Sequence, residues 1–362
     1  MAIPMNVVAF AGNENKTYEK FRDYYFQFSD EVMGKKIGGY DASVSLAEKE
    51  AKMNEALLSE VERISGMKRP EGVTIEAWSA NPSVKWAVPT VANIMIDAII
   101  PETIIRSFGL YTDIKYVGYG EVAQFDVEPN ALFTVSESGN AQRQTFKQKQ
   151  FRGSKNVVPV NHNITVYVSL YRVLCGQESL AEFVRKAVLS VEREMTVDAY
   201  GALNALVAGA SYPAALVKTG FTKENALKLA QTVEAYNNAK PVFVGTALAL
   251  SEMLPDSAEG YRINADANDM RIQLMKNYYG YDLMVLPQVA TGKNFGLALA
   301  DDKIYVMSPS VDKVLKMAIE GNSMLNSNDY FDTANLNSNA TLNKRWGVEA
   351  VSAAVMGVIN LQ

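Results

Sequence analysis

The sequence contains almost none of the residues that build disulfides and zinc centres. Its 362 residues include one cysteine, Cys175, and one histidine, His162. A single cysteine excludes a disulfide within the chain and fits a reducing compartment or indifference to redox. One His and one Cys also argue against a zinc site, and they exclude any catalytic triad that needs a second residue of either type.

Glycine, proline and long hydrophobic runs are also scarce. The 23 glycines and 12 prolines make under a tenth of the chain, which excludes collagen-like and low-complexity sequences. The longest apolar stretch runs from Val91 to Ile100 and is interrupted by Asp97. A membrane-spanning helix needs about 18 apolar residues, so no span is predicted. The net charge of −5 argues against electrostatic binding of the whole protein surface to DNA or anionic lipid, although a local basic patch is compatible with it.

The composition is otherwise that of a globular protein. Hydrophobic residues make up 48% and charged residues 21% of the chain, close to the average. At about 150 residues per domain, the length predicts two or three structural units. A chain of this length can bury a full core without metals or disulfides.

Helical patterns are clearest in three segments of the chain. Residues 45–65 carry an apolar stripe, and Ser45 with Glu48 forms a capping box. Residues 179–207 carry a longer stripe that begins with the capping box of Ser179 and Glu182, which predicts a helix of about 45 Å. Aromatic residues at helical spacing around Tyr24 predict a shorter core helix or an arm that contacts a neighbouring subunit.

Strand-like alternation dominates residues 111–170. It runs from Tyr111 to Val127, breaks at a turn, resumes from Gln142 to Phe151, and continues through Val166 to Leu170. This pattern predicts a long two-stranded excursion. An isolated hairpin of this length is marginal in water, so it needs a surface on which to lie.

The second half of the chain mixes helices and short strands, which predicts a compact α+β unit. Residues 324–343 are rich in Asn and Ser, and 346–361 are apolar and compatible with a strand. The predicted helices cover residues 221–238, 246–254 and 269–279, and the predicted strands cover 242–245, 283–286, 296–300 and 303–307.

No catalytic constellation is visible. His162 lies between two asparagines and is interpreted as structural, and Cys175 has no base beside it in the sequence. No catalytic, cofactor-binding or metal-binding residue is predicted. Glu and Asp are plentiful, but none lies in a recognisable motif, so an enzyme built on paired carboxylates is an alternative without positive support.

The order of these elements resembles the major capsid protein of tailed bacteriophages, the Hong Kong 97-type fold. The resemblance rests on pattern and order over about 250 residues. In its terms 111–167 form the E-loop, 179–207 the spine helix, 241–245 and 302–306 axial strands, and 346–361 the strand returning to the peripheral domain. The implied α+β architecture has an N-terminal arm and helical region (1–110), E-loop and flanking strands (111–168), peripheral domain (169–238), axial domain (239–323) and C-terminal return (324–362).

The resemblance implies a structural protein that self-assembles into an icosahedral shell around a double-stranded DNA phage genome. Its partners would be copies of itself in hexamers and pentamers, with scaffold, portal and decoration proteins and non-specific contact to packaged DNA, and no membrane. It would be located in the virion capsid after assembly in the host cytoplasm. An encapsulin-type bacterial compartment shell shares the fold and is the main alternative. The aromatic N-terminal segment favours the phage capsid.

A basic cluster marks the predicted E-loop. Residues 141–155 contain no acid, and three of the basic side chains share one face of the strand-like run. The functional interpretation is docking onto an acidic spine helix of an adjacent subunit; a solvated face that protects a sheet edge is the alternative, and contact with DNA is ranked lower. The basic residues are Arg143, Lys147, Lys149, Arg152 and Lys155, and the candidate acidic partners are Glu182, Glu192, Glu194 and Asp198.

Overall fold

The computed structural model of the chain describes residues 15–34, 44–70, 78, 81–109, 111–128, 132–133, 135, 137, 147–149, 152–168, 179–208, 212–253, 277–290, 296–328, 338–351 and 353–361. Within these ranges the helices are α1 (Asn15–Val32), α2 (Leu46–Ser65), α3 (Pro82–Phe108), α4 (Leu180–Ala208), α5 (Lys223–Asn237) and α6 (Ala247–Ser251). The strands are β1 (Thr112–Val117), β2 (Ala123–Val127), β3 (Gly153–Val157), β4 (Val160–Val168), β5 (Val217–Thr219), β6 (Val242–Gly245), β7 (Asn277–Tyr278), β8 (Tyr281–Val285), β9 (Lys303–Met307), β10 (Leu315–Asn328), β11 (Ser338–Ala350) and β12 (Gly357–Asn360).

Three sheets organise these strands. A four-stranded sheet has the order β1-β10-β11-β4, and a six-stranded sheet has the order β5-β12-β9-β6-β8-β7. The third is the hairpin of β2 and β3, paired from Ala123 opposite Val157 to Val127 opposite Gly153. The predicted α+β class is confirmed.

The main core lies between helices and the four-stranded sheet. Helix α3 packs against α2, α4 and β10, and α4 packs against β11. Leu315, Met317 and Ile319 of β10 are fully buried there, together with Trp346 of β11. A second core lies where α5 and α6 cover the six-stranded sheet around Phe243 and Ile304.

The predicted helix starts are confirmed where a side chain caps the first turn. Ser45 and Glu48 form both halves of the capping box of α2. Ser179 Oγ accepts from the Glu182 N–H at the start of α4, and Thr222 caps α5 in the same way. These side chains accept hydrogen bonds from backbone N–H groups that have no partner within the first helical turn.

The long apolar helix α3 was not among the predicted elements. It begins after the cap Asn81, contains Pro89 and Pro101, and is apolar on most of its faces. A helix without a polar face shows no clear 3.6-residue stripe, and internal prolines usually indicate a break. By length and composition, residues 82–106 could cross a membrane. However, 61% of an apolar 18-residue stretch within them is buried inside the fold.

Three strand and helix predictions need correction. The predicted single strand over 346–361 is two strands: β11 ends at Ala350, and β12 joins the six-stranded sheet between β5 and β9. The strand predicted over 296–300 is absent, and Leu297 forms only an isolated bridge with Ala290. The Asn- and Ser-rich segment, for which no element was predicted, contains the outer ends of β10 and β11. The helix predicted over 269–279 is wrong at its end, where Asn277 and Tyr278 form β7, and the rest of it lies outside the described residues. The strand predicted over 142–151 also falls mostly outside them, and the partner of β2 is β3.

A buried ion pair joins α3 to the centre of the sheet. Lys344 Nζ of β11 lies 3.1 Å from Asp97 Oδ1, and both side chains are almost fully buried. The same ammonium donates to the Gly321 carbonyl at 3.1 Å. Two charges removed from water in this way depend on each other, because a lone buried charge is strongly unfavourable.

We therefore expect Asp97→Ala to lower the free energy of unfolding by about 3–5 kcal/mol, since it leaves Lys344 buried and unpaired. The double substitution Asp97→Leu with Lys344→Met should recover most of that loss. Urea unfolding of the dilute, unassembled subunit, followed by circular dichroism, measures both. Glu224→Ala, which removes the exposed Lys228–Glu224 pair, is the control and should hardly change stability. An Asp97→Ala variant as stable as this control would contradict the prediction.

Candidate assembly surface

The hairpin of β2 and β3 is attached to the four-stranded sheet by its root. Phe125, Ala123 and Val157 are buried there against Ala318 of β10. Lys115 Nζ donates to the Gln124 carbonyl at 2.6 Å and lies 4.8 Å from the centre of the Phe125 ring. The cluster holds the root of the hairpin and does not extend to the described residues beyond it.

Beyond the root, the described residues between β2 and β3 are exposed and partly apolar. Leu132 is 76% exposed, Phe133 60% and Val135 92%. Val122 and Val158, beside the root, are also about half exposed or more. Single exposed apolar residues are common on proteins, but a concentration of them marks a surface that another molecule covers. The described part of the hairpin therefore has the composition of a contact surface.

The structure separates the predicted basic cluster into two groups. Lys147 and Lys149 are exposed, whereas Arg152 contacts Asp126 at 2.7 Å and Glu128 at 3.0 Å. The hydrogen bond to Asp126 raises the pKa of the Arg152 guanidinium above its ordinary value. Lys155 Nζ lies 2.7 Å from Glu349 Oε2 of β11. Arg143 lies outside the described residues.

The four predicted acidic residues of α4 also differ from one another in their contacts and exposure. Glu182 forms two hydrogen bonds with Arg185, at 2.6 and 2.8 Å, and these lower the pKa of the Glu182 carboxyl. Asp198 Oδ2 accepts from Trp346 Nε1 at 2.8 Å. Glu192 is half-buried and Glu194 is exposed. Within the subunit, none of the four is among the partners that the structure gives for Arg152 or Lys155.

His162 has a structural place next to this network. Its ring stacks on the Trp346 indole with 3.7 Å between centroids, and its Nε2 lies 3.5 Å from Asp198 Oδ2. The contact joins β4, β11 and α4, which supports the structural interpretation of this residue. Among the residues that the structure describes, no group of three or more His, Cys, Asp or Glu side chains could hold a metal ion.

Sequence reasoning located the basic residues of the hairpin but missed the acids that they contact. Asp126 and Glu128 lie on the opposite arm of the same hairpin, and Glu349 lies on β11, far along the chain. A signal for the first pair existed, because hairpin register brings Asp126 opposite Ser154, close to Arg152. No comparable sequence signal links Lys155 to Glu349.

A family described as "SPbeta prophage-derived putative capsid protein YonB" matches residues 34–360. The chain belongs to this family. The resemblance to capsid proteins drawn from the order of elements is thereby confirmed, and the protein is a structural one of the shell-forming class. A search of curated protein sequences found no match.

Solved structures of capsids are also similar to the chain. The capsid of a native GTA particle matches at 11% identity with a TM-score of 0.49, over 71% of this chain and 89% of the other. A satellite phage P4 procapsid matches at 9% identity with a TM-score of 0.46, over 72% of this chain and 89% of the other. A structure from Microbacterium phage Oxtober96 matches at 13% identity with a TM-score of 0.43, over 71% of this chain and 90% of the other.

For this YonB-family chain, we expect the triple substitution Lys147→Glu, Lys149→Glu and Arg152→Glu to block assembly while the subunit stays folded. Each exposed ion pair contributes only about 0–1 kcal/mol, but the reversed cluster would repel an acidic neighbour at every contact. Sedimentation velocity measures assembly, and circular dichroism measures folding.

The matched control changes the net charge equally at exposed lysines outside the hairpin: Lys68→Glu, Lys228→Glu and Lys240→Glu. This control should assemble. Normal shells from the hairpin triple variant at physiological salt would refute the docking role of the basic cluster.

Proposed function

We propose that the chain is the major subunit of an icosahedral capsid of the tailed-phage type, which self-assembles around double-stranded DNA. The observation that carries this proposal is the match of a capsid-protein family to nearly the whole chain, residues 34–360. The protein acts through its surfaces and not through a reaction, so its residues are contact residues and not catalytic ones.

The hairpin supports the proposal physically. Its root is seated on a small cluster, and its described distal residues expose Leu132, Phe133 and Val135. Complete burial of a Val, Leu or Phe side chain is worth about 1.5–3 kcal/mol. Three such residues covered by a neighbouring subunit would stabilise each contact far more than the surface ion pairs, and the contact repeats around a closed shell.

Charge then orients the hairpin on its neighbour. Lys147 and Lys149 face solvent, and Glu194 is the exposed member of the predicted acidic set. Arg152 and Lys155 are already paired within the subunit, so their contribution is to hold the hairpin in shape. We assign the docking charge to the two lysines and the acceptor role on the adjacent α4 to Glu194.

The remaining parts of the proposal concern the environment of the shell. The subunits form hexamers and pentamers in the host cytoplasm, with scaffold, portal and decoration proteins as candidate partners and DNA bound without sequence specificity. The boundaries 1–110, 111–168, 169–238, 239–323 and 324–362 remain the proposed division into arm, E-loop, peripheral, axial and return segments. An encapsulin-type compartment would use a similar shell but would enclose a protein cargo.

We expect purified protein to form closed particles that are visible by negative-stain electron microscopy, because the described distal residues of the hairpin expose apolar side chains that the chain itself does not cover. Particles isolated from the producing cell should contain DNA that is protected from nuclease until the shell is opened. A protein cargo in place of DNA would favour the compartment shell. A stable monomer of 39.8 kDa under all conditions would count against shell formation itself.

We also expect the mature particles to contain no covalent links between subunits. Some members of the resembled family join an E-loop lysine to an asparagine of a neighbour, and this chain offers Lys147 and Lys149 with late asparagines such as Asn335, Asn337 and Asn339. Lys and Asn are ordinary surface residues, and their presence alone does not create reactive geometry. A denaturing gel of mature particles should show one band at subunit mass, and a ladder of multiples would overturn this expectation.

A further inference from the structure

The root of the hairpin crosses the four-stranded sheet where the side chains are smallest. Ala318 of β10 and Gly347 of β11 are directly opposite each other in the strand register. Ala318 is completely buried beneath Phe125 and Val157. A Cβ atom on Gly347 would lie 2.4 Å from the Val158 carbonyl oxygen and 3.0 Å from its carbon. We call the pair of Ala318 and Gly347 the saddle.

A second contact fixes the other arm of the root. Glu320 Oε1 of β10 accepts the Gly120 N–H at 2.9 Å and an Arg345 N–H at 2.8 Å, and its side chain is 1% exposed. Next to it, the Tyr119 ring lies over Gly321, where a Cβ atom would come within 2.7 Å of ring carbons. The connection between β1 and β2 is therefore held at the end of the β1–β10 pairing.

A third contact lies on the far side of the saddle. Lys155 of β3 pairs with Glu349 of β11 at 2.7 Å. Glu320, Ala318 and Lys316 are opposite Arg345, Gly347 and Glu349 in the register of β10 and β11. Side chains two residues apart on a strand point to the same face, so all three contacts are made by one face of this strand pair.

We propose that the saddle sets the angle at which the hairpin leaves its subunit, and thereby the size of the shell. The inference rests on the proposed function. The root begins at Ala123, and Val127 at the other end of β2 lies about 14 Å from it. A tilt of about 10° at Ala123 therefore moves Val127 by about 2 Å, which is enough to change where the exposed residues beyond it meet a neighbour. Gly347 and Ala318 are positioning residues in this arrangement.

The first test is Gly347→Ala. The added methyl group must displace the Val158 backbone and tilt the root. The control is Gly201→Ala on an exposed face of α4, where a Cβ atom meets nothing within 4 Å. Both variants should remain folded by circular dichroism. Cryo-electron microscopy should show several-fold fewer particles of the wild-type diameter for Gly347→Ala, and an unchanged diameter distribution for Gly201→Ala.

The second test uses the exposed Lys155–Glu349 pair and does not disturb the core. Lys155→Glu and Glu349→Lys should each broaden the distribution of particle diameters, because like charges then push β3 away from β11. The double variant, which restores an opposite pair in reversed order, should return the wild-type distribution. If Lys155 instead docks onto a neighbouring subunit, the double variant will behave like Lys155→Glu.

The outcomes separate the two proposals. If the wild-type protein forms no shells, the proposed function fails. If the wild-type and Gly201→Ala proteins form shells and Gly347→Ala forms shells of the same diameter, the saddle inference alone is overturned. Should Gly347→Ala fail to fold, the charge exchange decides: restoration by the double variant supports the inference, and failure of restoration overturns it.

Discussion

The antiparallel pair of β10 and β11 is the constraint on which the rest of the structure depends, because both of its faces are occupied by different parts of the chain. On one face Leu315, Met317 and Ile319 enter the main core, and Lys344 and Trp346 reach Asp97 of α3 and Asp198 of α4. The other face carries the hairpin root. A shift of the pair by one residue would exchange the two faces, so the core and the hairpin hold each other in register.

The buried ion pair between β11 and α3 also fixes how the chain packs on this strand pair. Replacing the Asp97–Lys344 pair by apolar residues would not by itself weaken the core, since buried ion pairs seldom exceed apolar packing in stability. What the pair supplies is a fixed alignment: an ammonium group satisfied by one carboxylate of α3 and by the Gly321 carbonyl. Helix α3 has apolar residues on most faces and could otherwise pack on the sheet in several rotations.

The elements that could be predicted from the sequence are those marked by neighbouring residues. The elements that were missed either lack such a local pattern or depend on pairing between residues far apart in the chain. Helices α2 and α4 were predicted because capping side chains and a single apolar stripe mark them, and β6 and β9 because they are short apolar runs. Helix α3 lacks a stripe. The outer parts of β10 and β11 are rich in Asn and Ser, and they are strands because they pair with each other and with β4. The basic cluster was visible in the sequence, but its pairing with Glu349 depends on the tertiary fold.

The place of β12 has a consequence for the order in which the protein forms. This strand lies inside the six-stranded sheet, parallel to β5 and antiparallel to β9, although it follows the other described strands of that sheet in the sequence. Until it emerges from the ribosome, β5 has no partner in the sheet and the edge of β9 stays open. The six-stranded sheet is therefore completed only after β1, β4, β10 and β11, the strands of the sheet that carries the hairpin, have all been synthesised.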